Sequence, residues 1–361
     1  MNRFLALTAL FWLSLPTVVD ATELLQTGDA RWVVFASALD PDEAIGIAQA
    51  YRWRFPNVRV VQSSNAWMAV IGGPVPLDGG AAATRDRIAS QGGVPADIFL
   101  SNGEAFQQTI WTPPADNIET WEYEHGEPLG INRFGLDFVV SDRFASDFET
   151  RIPTLAASSD GQIVANIEII ESQTRDANSR LRFAWLDRSS AFPQVLFSSF
   201  WMGAHCCTVT KILSKDDGEW GVVDGKTLDG DLGYRLVDVN GDSEFELVSY
   251  DNSFLYAFDA YAFSWMPVSV QKLENGTLVD KRWDAEYRSI YVQEAFRLEH
   301  LAKLNPDLWH ENGFLAAWVA LKSLSGQHDE AWNHMLSNYN RQSDWSLSLC
   351  TVDTVDGLCP P

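Results

Sequence analysis

The chain has 361 residues, and its 49 Asp and Glu against 26 Lys and Arg give a net charge of −23. This acidic balance excludes a typical nucleic-acid-binding protein, which presents clustered Lys and Arg to phosphates. Hydrophobic residues make up 46% of the chain and 15 residues are Trp, so the chain can bury sizeable cores and is not globally disordered. At roughly 150 residues per domain, the length predicts about two folded units.

The first 21 residues have the pattern of a cleavable signal peptide. Arg3 supplies a positive charge, an apolar run extends from Phe4 to Leu15, and the small residue Ala21 stands at the expected cleavage position. A transmembrane helix needs about 20 apolar residues, and no later segment has them, so we expect no membrane span. An uncleaved N-terminal anchor is the alternative. We expect export to a bacterial periplasm, where cysteines can oxidise.

Residues 22–112 predict a compact unit with the order βαββαβ. The run RWVVFASAL is typical of a strand, and a helix to about Phe55 begins after Asp40, with Pro41 at its first position. Two β-rich runs meeting at Ser64 and Asn65 indicate a hairpin. The segments AATRDRIAS and ADIFLSNG then predict a second helix and a last strand. The fold class expected for the whole chain is α+β, with a ferredoxin-like unit first.

This order, with WVV near its start and VIGGPV after the second hairpin strand, resembles the SPOR domain, a peptidoglycan-binding module of bacterial envelope proteins. The resemblance implies docking on glycan strands through a sheet face that carries no helices. Family members have a polar residue in the first strand and an Arg beside the aromatic of the third, where this chain has Val34 and either Met68 or Ala69. The candidate glycan-binding residues are the hydrogen-bonding and stacking groups near the hairpin: Gln62, Ser64, Asn65 and Trp67.

The rest of the chain predicts a linker, a β-rich domain and a helical segment. Residues 113–130 are rich in Pro and acidic residues and suggest the linker. Residues 131–283 contain many short β-rich runs, FLYAFDAYAFSW among them, and Asp-Gly and Asn-Gly pairs at 160–161, 217–218 and 275–276 predict hairpin turns. A sandwich and a propeller-like fold both fit this pattern.

Residues 284–361 change to a helical period. One apolar stripe runs from Tyr287 to Leu301 and should end at Asn305 and Pro306. The segments NGFLAAWVALKSLSG and DEAWNHMLSNY predict two further helices. We expect these helices to pack on the β-rich domain.

The segment DVNGDSEFE predicts a calcium loop. Calcium prefers six to eight oxygen ligands, and acidic residues at alternate positions of a tight loop direct their oxygens to one point. The loop resembles those of FG-GAP, integrin-type β-propeller repeats, although Ser243 stands where the repeat has Gly. An ordinary hairpin tip with solvated acids is the alternative. The predicted ligands are Asp238, Asn240, Asp242, Glu244 through its backbone carbonyl, and Glu246.

The segment GAHCCT invites a catalytic or zinc hypothesis, but its spacing disfavours both. In a strand, His205 and Cys207 would lie about 6.5–7 Å apart, too far for a hydrogen bond. Adjacent cysteines also lack the usual spacing of zinc ligands. Disulfides are the expectation: Cys350 with Cys359 and Cys206 with Cys207, or either crossed pairing. GAHCCT, the calcium-like loop and the NGFLAAWVA helix together resemble a family of uncharacterised exported bacterial proteins without established activity.

Three functional hypotheses follow. The first is a non-catalytic envelope protein that docks on peptidoglycan glycan strands and presents its other domains to an envelope protein partner. The second is a periplasmic hydrolase with a site near His205 and Asp238. The third is a purely structural interaction module stabilised by calcium and disulfides.

Overall fold

The computed structural model describes residues 29–90, 94–95, 97–113, 118–172, 174–175, 178–201, 205–343 and 345. These residues form an α+β fold of four antiparallel sheets with three helices at the C-terminal end, which confirms the predicted class. The predicted signal peptide, Cys350 and Cys359 lie outside the described residues. None of the helices in the described ranges is long and apolar enough to cross a membrane.

The N-terminal sheet has the strand order β4-β1-β3-β2-β5, and the neighbouring strands are antiparallel. The predicted helix start is confirmed, because the Asp40 side chain accepts hydrogen bonds from the amides of Asp42 and Glu43 at 2.8 and 3.1 Å. The predicted hairpin is confirmed as well, whereas the fifth strand was not expected. The elements are β1 (Ala30–Ala38), α1 (Pro41–Arg52), β2 (Arg59–Ser63), β3 (Met68–Pro76), α2 (Ala81–Ser90), β4 (Phe99–Ser101) and β5 (Phe106–Trp111).

Both faces of this sheet are buried at the centre. Alternation along β1 directs Val33 and Phe35 into a core shared with α1, and Trp32 and Val34 into a second cluster on the opposite face. The expectation of a face open to sugar is therefore wrong at the sheet's centre, because apolar side chains occupy both faces of the strands. The second cluster is 0–6% exposed and consists of Trp32, Val34, Val61, Ala69, Ile71 and Phe106.

The predicted linker contributes strands to the β-rich region. Pairing of β6 with β11 ties part of residues 113–130 to a central sheet. The domain boundaries themselves stay predictions. The strands from here on are β6 (Glu119–Glu124), β7 (Leu129–Arg133), β8 (Leu136–Phe144), β9 (Arg151–Ser159), β10 (Gln162–Glu168), β11 (Asn178–Ala184), β12 (Gln194–Phe200), β13 (Cys206–Asp216), β14 (Glu219–Asp224), β15 (Leu228–Asp229), β16 (Arg235–Val237), β17 (Glu246–Tyr250), β18 (Val268–Glu274) and β19 (Thr277–Asp280).

Three sheets stack through shared apolar cores. The sheet β10-β9-β8-β7 packs on one face of the sheet β14-β13-β12-β11-β6, whose other face packs on β16-β17-β18-β19. The predicted turns at 160–161, 217–218 and 275–276 are confirmed, because both residues of each have positive φ, as a tight hairpin requires. The described part of the chain forms no closed barrel.

The segment FLYAFDAYAFSW is not a strand, and that prediction is wrong. One short 3-10 helix, Asn252–Phe254, ends at the first residue of the segment, and a second, Tyr261–Phe263, lies within it. Its aromatic side chains contact one another locally instead of alternating across a sheet. Ring pairs join Phe254 to Phe258 and Tyr256 to Tyr261. A run of aromatic residues satisfies strand propensity without specifying a strand.

The C-terminal helices pack on the outer face of β16–β19, as expected. The apolar stripe from Tyr287 is buried, and the first helix ends before Asn305 as predicted. The helices are α3 (Arg288–Leu304), α4 (Asn312–Leu324) and α5 (His328–Asn338). Their shared core also includes Trp53 from the end of α1. The N-terminal unit therefore contributes directly to the C-terminal core.

Candidate functional site

The predicted glycan-binding residues lie together at one end of the N-terminal sheet. Ser64 and Asn65 are exposed in the hairpin turn, and Trp67 is 41% exposed. The Asn65 side chain accepts a hydrogen bond from the Trp67 amide at 3.2 Å, and Gln62 accepts one from Gln108 of β5 at 2.6 Å. This hairpin end offers an aromatic ring beside hydrogen-bonding groups, although the sheet's central face is buried.

The predicted calcium loop connects β16 to β17, and its first acid is fully enclosed. Asp238 is 1% exposed, and its two carboxylate oxygens accept the amides of Gly241 and Ser243 at 2.7 and 3.2 Å. Arg52 at the end of α1 forms an ion pair with the same carboxylate at 3.3 Å. Local turn bonds and a cation of the protein itself therefore already engage the Asp238 oxygens.

A lysine ammonium lies among the other acids of the loop. The Lys272 Nζ is 2.6 Å from Asp242 and 2.9 Å from Glu244, and 3.9 Å from Glu246. Although burial alone lowers the pKa of Lys272, its hydrogen bonds to these carboxylates raise it well above its usual range. Lys272 thus supplies the positive charge that calcium would bring.

The arrangement does not fit a bound calcium ion as it stands. The Asn240 amide nitrogen, not its oxygen, faces Asp242 and Glu286, at 3.0 and 3.1 Å. Within the described ranges, no three His, Cys, Asp or Glu side chains are grouped so as to hold a metal. Calcium binding at this loop stays a prediction from the sequence. For an ion to bind, the Lys272 ammonium would have to move away from the carboxylates of Asp242 and Glu244.

Glu246 is the most perturbed acid of the loop. Its side chain is 0% exposed, and it accepts hydrogen bonds from the Val239 amide at 2.7 Å and the Tyr287 hydroxyl at 3.1 Å. Burial raises the pKa of Glu246 to about 8, and the charge of Asp242 adds to the rise. A carboxyl with this pKa titrates near neutral pH, although its burial keeps it away from solutes.

The predicted cysteine region forms a bonded adjacent pair beside a histidine. Cys206 and Cys207 are joined to each other at the start of β13. The neighbouring His205 does not pair with a cysteine: its Nδ1 lies 3.0 Å from a carboxylate oxygen of Asp229. Tyr261 donates to the other oxygen of Asp229 at 2.7 Å and stacks on the His205 ring at 3.9 Å between centroids. The hydrogen bond to Asp229 raises the pKa of Tyr261 to about 12.

Sequence reasoning missed the junction formed by three consecutive residues at the end of α1. Arg52 pairs with Asp238, and Trp53 packs edge-on against Tyr250 with 6.0 Å between ring centroids. Arg54 forms a two-pronged bond of 2.5 and 2.8 Å with Glu294 of α3, which is 1% exposed. Although burial lowers the pKa of Arg54, the bonds to Glu294 raise it above its usual value. The sequence signal that could have indicated this junction is the pair of arginines on either side of Trp53 in a chain with a net charge of −23.

Comparison with known proteins gives a family match for the C-terminal part. Residues 291–361 match the model of the sll0997 C-terminal domain. The chain is 46% identical over 364 residues to an uncharacterised protein, y4bJ, of Sinorhizobium fredii, an alignment that covers 99% of this chain and 57% of that protein. It is 36% identical over 206 residues to a probable thylakoid lumen protein, sll0997, of Synechocystis, which covers 56% of this chain and 60% of that protein.

The chain therefore spans less than two thirds of the length of either relative. No solved structure matches it. The stretch that matches the sll0997 C-terminal domain begins within α3 and includes α4 and α5, and neither relative's name states an activity.

Proposed function

We propose that the chain is an exported, non-catalytic envelope protein that docks on peptidoglycan glycan strands through the hairpin end of its N-terminal sheet. The observation that carries this proposal is the exposed Trp67 ring beside the polar groups of Gln62, Ser64 and Asn65. An aromatic ring can pack on the apolar face of a sugar while neighbouring amides and hydroxyls bond to its oxygens. The β-rich region and C-terminal helices would then face an envelope protein partner.

The topology of the N-terminal unit supports the SPOR-like part of the proposal. A ferredoxin-like βαββαβ unit would have the strand order β4-β1-β3-β2, and four strands of this five-stranded sheet follow that order, with β5 as an additional edge strand. The buried second face limits the contact, because glycan cannot reach the cluster around Val34 and Ile71. The proposed contact is therefore limited to the hairpin and the adjoining Gln62 and Gln108.

Export rests on two supports. The first 21 residues predict a signal peptide, and one relative carries the name of a probable thylakoid lumen protein, a compartment across a membrane from its site of synthesis. A periplasmic location would also allow the Cys206–Cys207 bond to persist.

Co-sedimentation of the full chain with amidase-treated sacculi tests glycan docking. We expect the chain to pellet with sacculi, and Trp67→Ala to weaken binding by about threefold to tenfold, the loss of one aromatic contact. Trp283→Ala is the matched control, because Trp283 is 75% exposed and lies outside the hairpin. Recovery of the chain in the supernatant with and without sacculi would overturn the proposal.

One observation favours the second candidate, a hydrolase. The bond from His205 Nδ1 to Asp229 orients the ring as in a general base, and among the described residues no hydrogen bond involves its Nε2. Asp238 is enclosed by Arg52 and cannot serve as the partner acid. Release of soluble fragments from dye-labelled sacculi, lost in His205→Gln, would support a hydrolase, and no release by the natural chain would exclude activity on this substrate.

A further inference from the structure

A cleft of about 410 Å³ opens where the end of α1 meets β11 and the segment before β16. Four arginines line it, although acidic residues outnumber basic ones by 49 to 26 in the chain. Its remaining wall is aromatic and apolar and includes Trp53, Tyr234 and Leu236. The arginines are Arg52, Arg180, Arg182 and Arg235.

Among the described residues, two of these guanidinium groups form an ion pair with a carboxylate and two do not. Arg52 pairs with Asp238 at 3.3 Å and Arg180 with Glu122 at 2.6 Å. Within the described part of the chain, no carboxylate oxygen lies within 4.0 Å of Arg182 or Arg235. The cleft is therefore lined by two guanidinium groups with a carboxylate partner and two without one.

Arg182 is the more unusual of the two. It is 8% exposed, and its Nη1 donates to the Tyr234 carbonyl at 2.8 Å. Its Nε is buried and has no hydrogen-bond partner among the residues that the structure describes. Burial, followed by the charge of Arg180, lowers the pKa of Arg182 to about 10, although the charge of Glu122 opposes this shift, and Arg182 stays positive at neutral pH. A buried guanidinium without an acidic partner is unfavourable in a folded protein unless another group supplies the negative charge.

Arg235 is the second arginine of the cleft without a carboxylate partner among the described residues. Its Nη1 donates to the Trp53 carbonyl at 3.0 Å, and its guanidinium lies 5.5 Å from the centre of the Trp53 ring. These two contacts hold the Arg235 side chain at the wall of the cleft without using its charge against a carboxylate. Planar guanidinium groups bind carboxylate and phosphate oxygens in pairs, and so they favour such ligands over halide ions.

We propose that this cleft binds the carboxylate or phosphate group of a small organic anion. Arg182 and Arg235 contact the charged group, while Trp53 and Tyr234 flank the body of the ligand. The site is separate from the hairpin, so this inference goes beyond glycan docking and does not depend on it.

Calorimetry and thermal melting of the full chain test the site, with inorganic phosphate and succinate as probes and sodium chloride keeping the ionic strength constant. We expect one probe to bind with a dissociation constant of about 1 mM or tighter and to raise the melting temperature. A response to phosphate alone identifies a phosphate ligand, and a response to succinate alone a carboxylate ligand. The neutral compound succinamide should give no response.

Two variants locate the binding. Arg182→Met and the more exposed Arg235→Gln should each weaken binding at least about tenfold, and Arg85→Gln on α2 should not change it. Arg182→Met also loses the hydrogen bond to the Tyr234 carbonyl, so the binding of both variants is measured well below their own melting temperatures. The proposal is overturned if neither probe binds, or if both cleft variants bind as the natural chain does.

Discussion

The raised pKa of Glu246 gives the stability of this protein a defined dependence on pH. In the unfolded chain the carboxyl has its ordinary pKa of 4.5, whereas burial in the folded chain raises the pKa to about 8. Between these values the folded state holds a proton that the unfolded chain has released. The contribution of Glu246 to the free energy of unfolding therefore falls as the pH rises through this window, and it no longer changes with pH above the window.

The size of the effect follows from the two pKa values. One pKa unit corresponds to about 1.4 kcal/mol, so a rise from 4.5 to about 8 corresponds to about 5 kcal/mol over the full window. Most of this difference, about 3 kcal/mol, falls between about pH 5 and about pH 8. Glu246 is 0% exposed, so solvent does not screen its charge.

Urea unfolding of the natural chain and of Glu246→Gln at several pH values measures the effect. In this variant the side chain at position 246 carries no charge at any pH. We therefore expect its free energy of unfolding to rise by about 3 kcal/mol relative to that of the natural chain between about pH 5 and about pH 8. Glu219→Gln, at an exposed position of β14, is the control, and its free energy of unfolding should depend on pH as that of the natural chain does. Parallel curves for Glu246→Gln over this window would refute the assigned pKa.

Three further outcomes are expected. Glu294→Gln should lower the free energy of unfolding by about 3 kcal/mol in urea, because it leaves Arg54 without its buried partner. Calcium should leave the melting temperature of the natural chain unchanged and raise that of Lys272→Met, because this substitution removes the ammonium from the loop acids. A non-reducing digest should yield Cys206 and Cys207 in one peptide that is lighter by two hydrogens than its reduced form.

Each of these outcomes has a control variant or a result that would contradict it. Glu330→Gln, at a side chain 66% exposed, should change the free energy of unfolding by no more than about 0.5 kcal/mol. A similarly small change for Glu294→Gln would show that the Arg54–Glu294 pair does not stabilise the fold. A calcium-dependent melting temperature in the natural chain would show that Lys272 yields to the metal. Recovery of Cys206 in a peptide linked to Cys350 or Cys359 would establish a crossed pairing.

Local patterns predicted the elements whose determinants lie within a few residues. The cap at Asp40, the positive-φ pair at 217–218 and the stripe from Tyr287 all appear in the structure where the sequence placed them. Each depends on hydrogen bonds or side-chain spacing inside a single turn or helix. The short strands β5 and β6 were missed because they are polar and stand beside Pro-rich or acidic stretches.

The candidate sites depended on residues distant in sequence, which local patterns cannot bring together. The ammonium that neutralises the predicted calcium loop comes from Lys272, on a neighbouring strand. The partner of His205 is Asp229, which reaches it only because β15 pairs with β13. The buried second face of the N-terminal sheet was visible in part, since Trp32 and Val34 are both apolar, but the SPOR resemblance predicted that this face would be open.

The Arg52–Arg54 junction makes the spacing of three residues matter to the whole molecule. Each side chain goes to a different neighbour: Arg52 to the loop at Asp238, Trp53 to the core under the C-terminal helices, and Arg54 to Glu294. Inserting or deleting one residue in α1 just before Arg52 would turn all three side chains away from these partners. The N-terminal unit and the C-terminal helices are thus linked through contacts of consecutive residues, so that a change of length at this point would affect both.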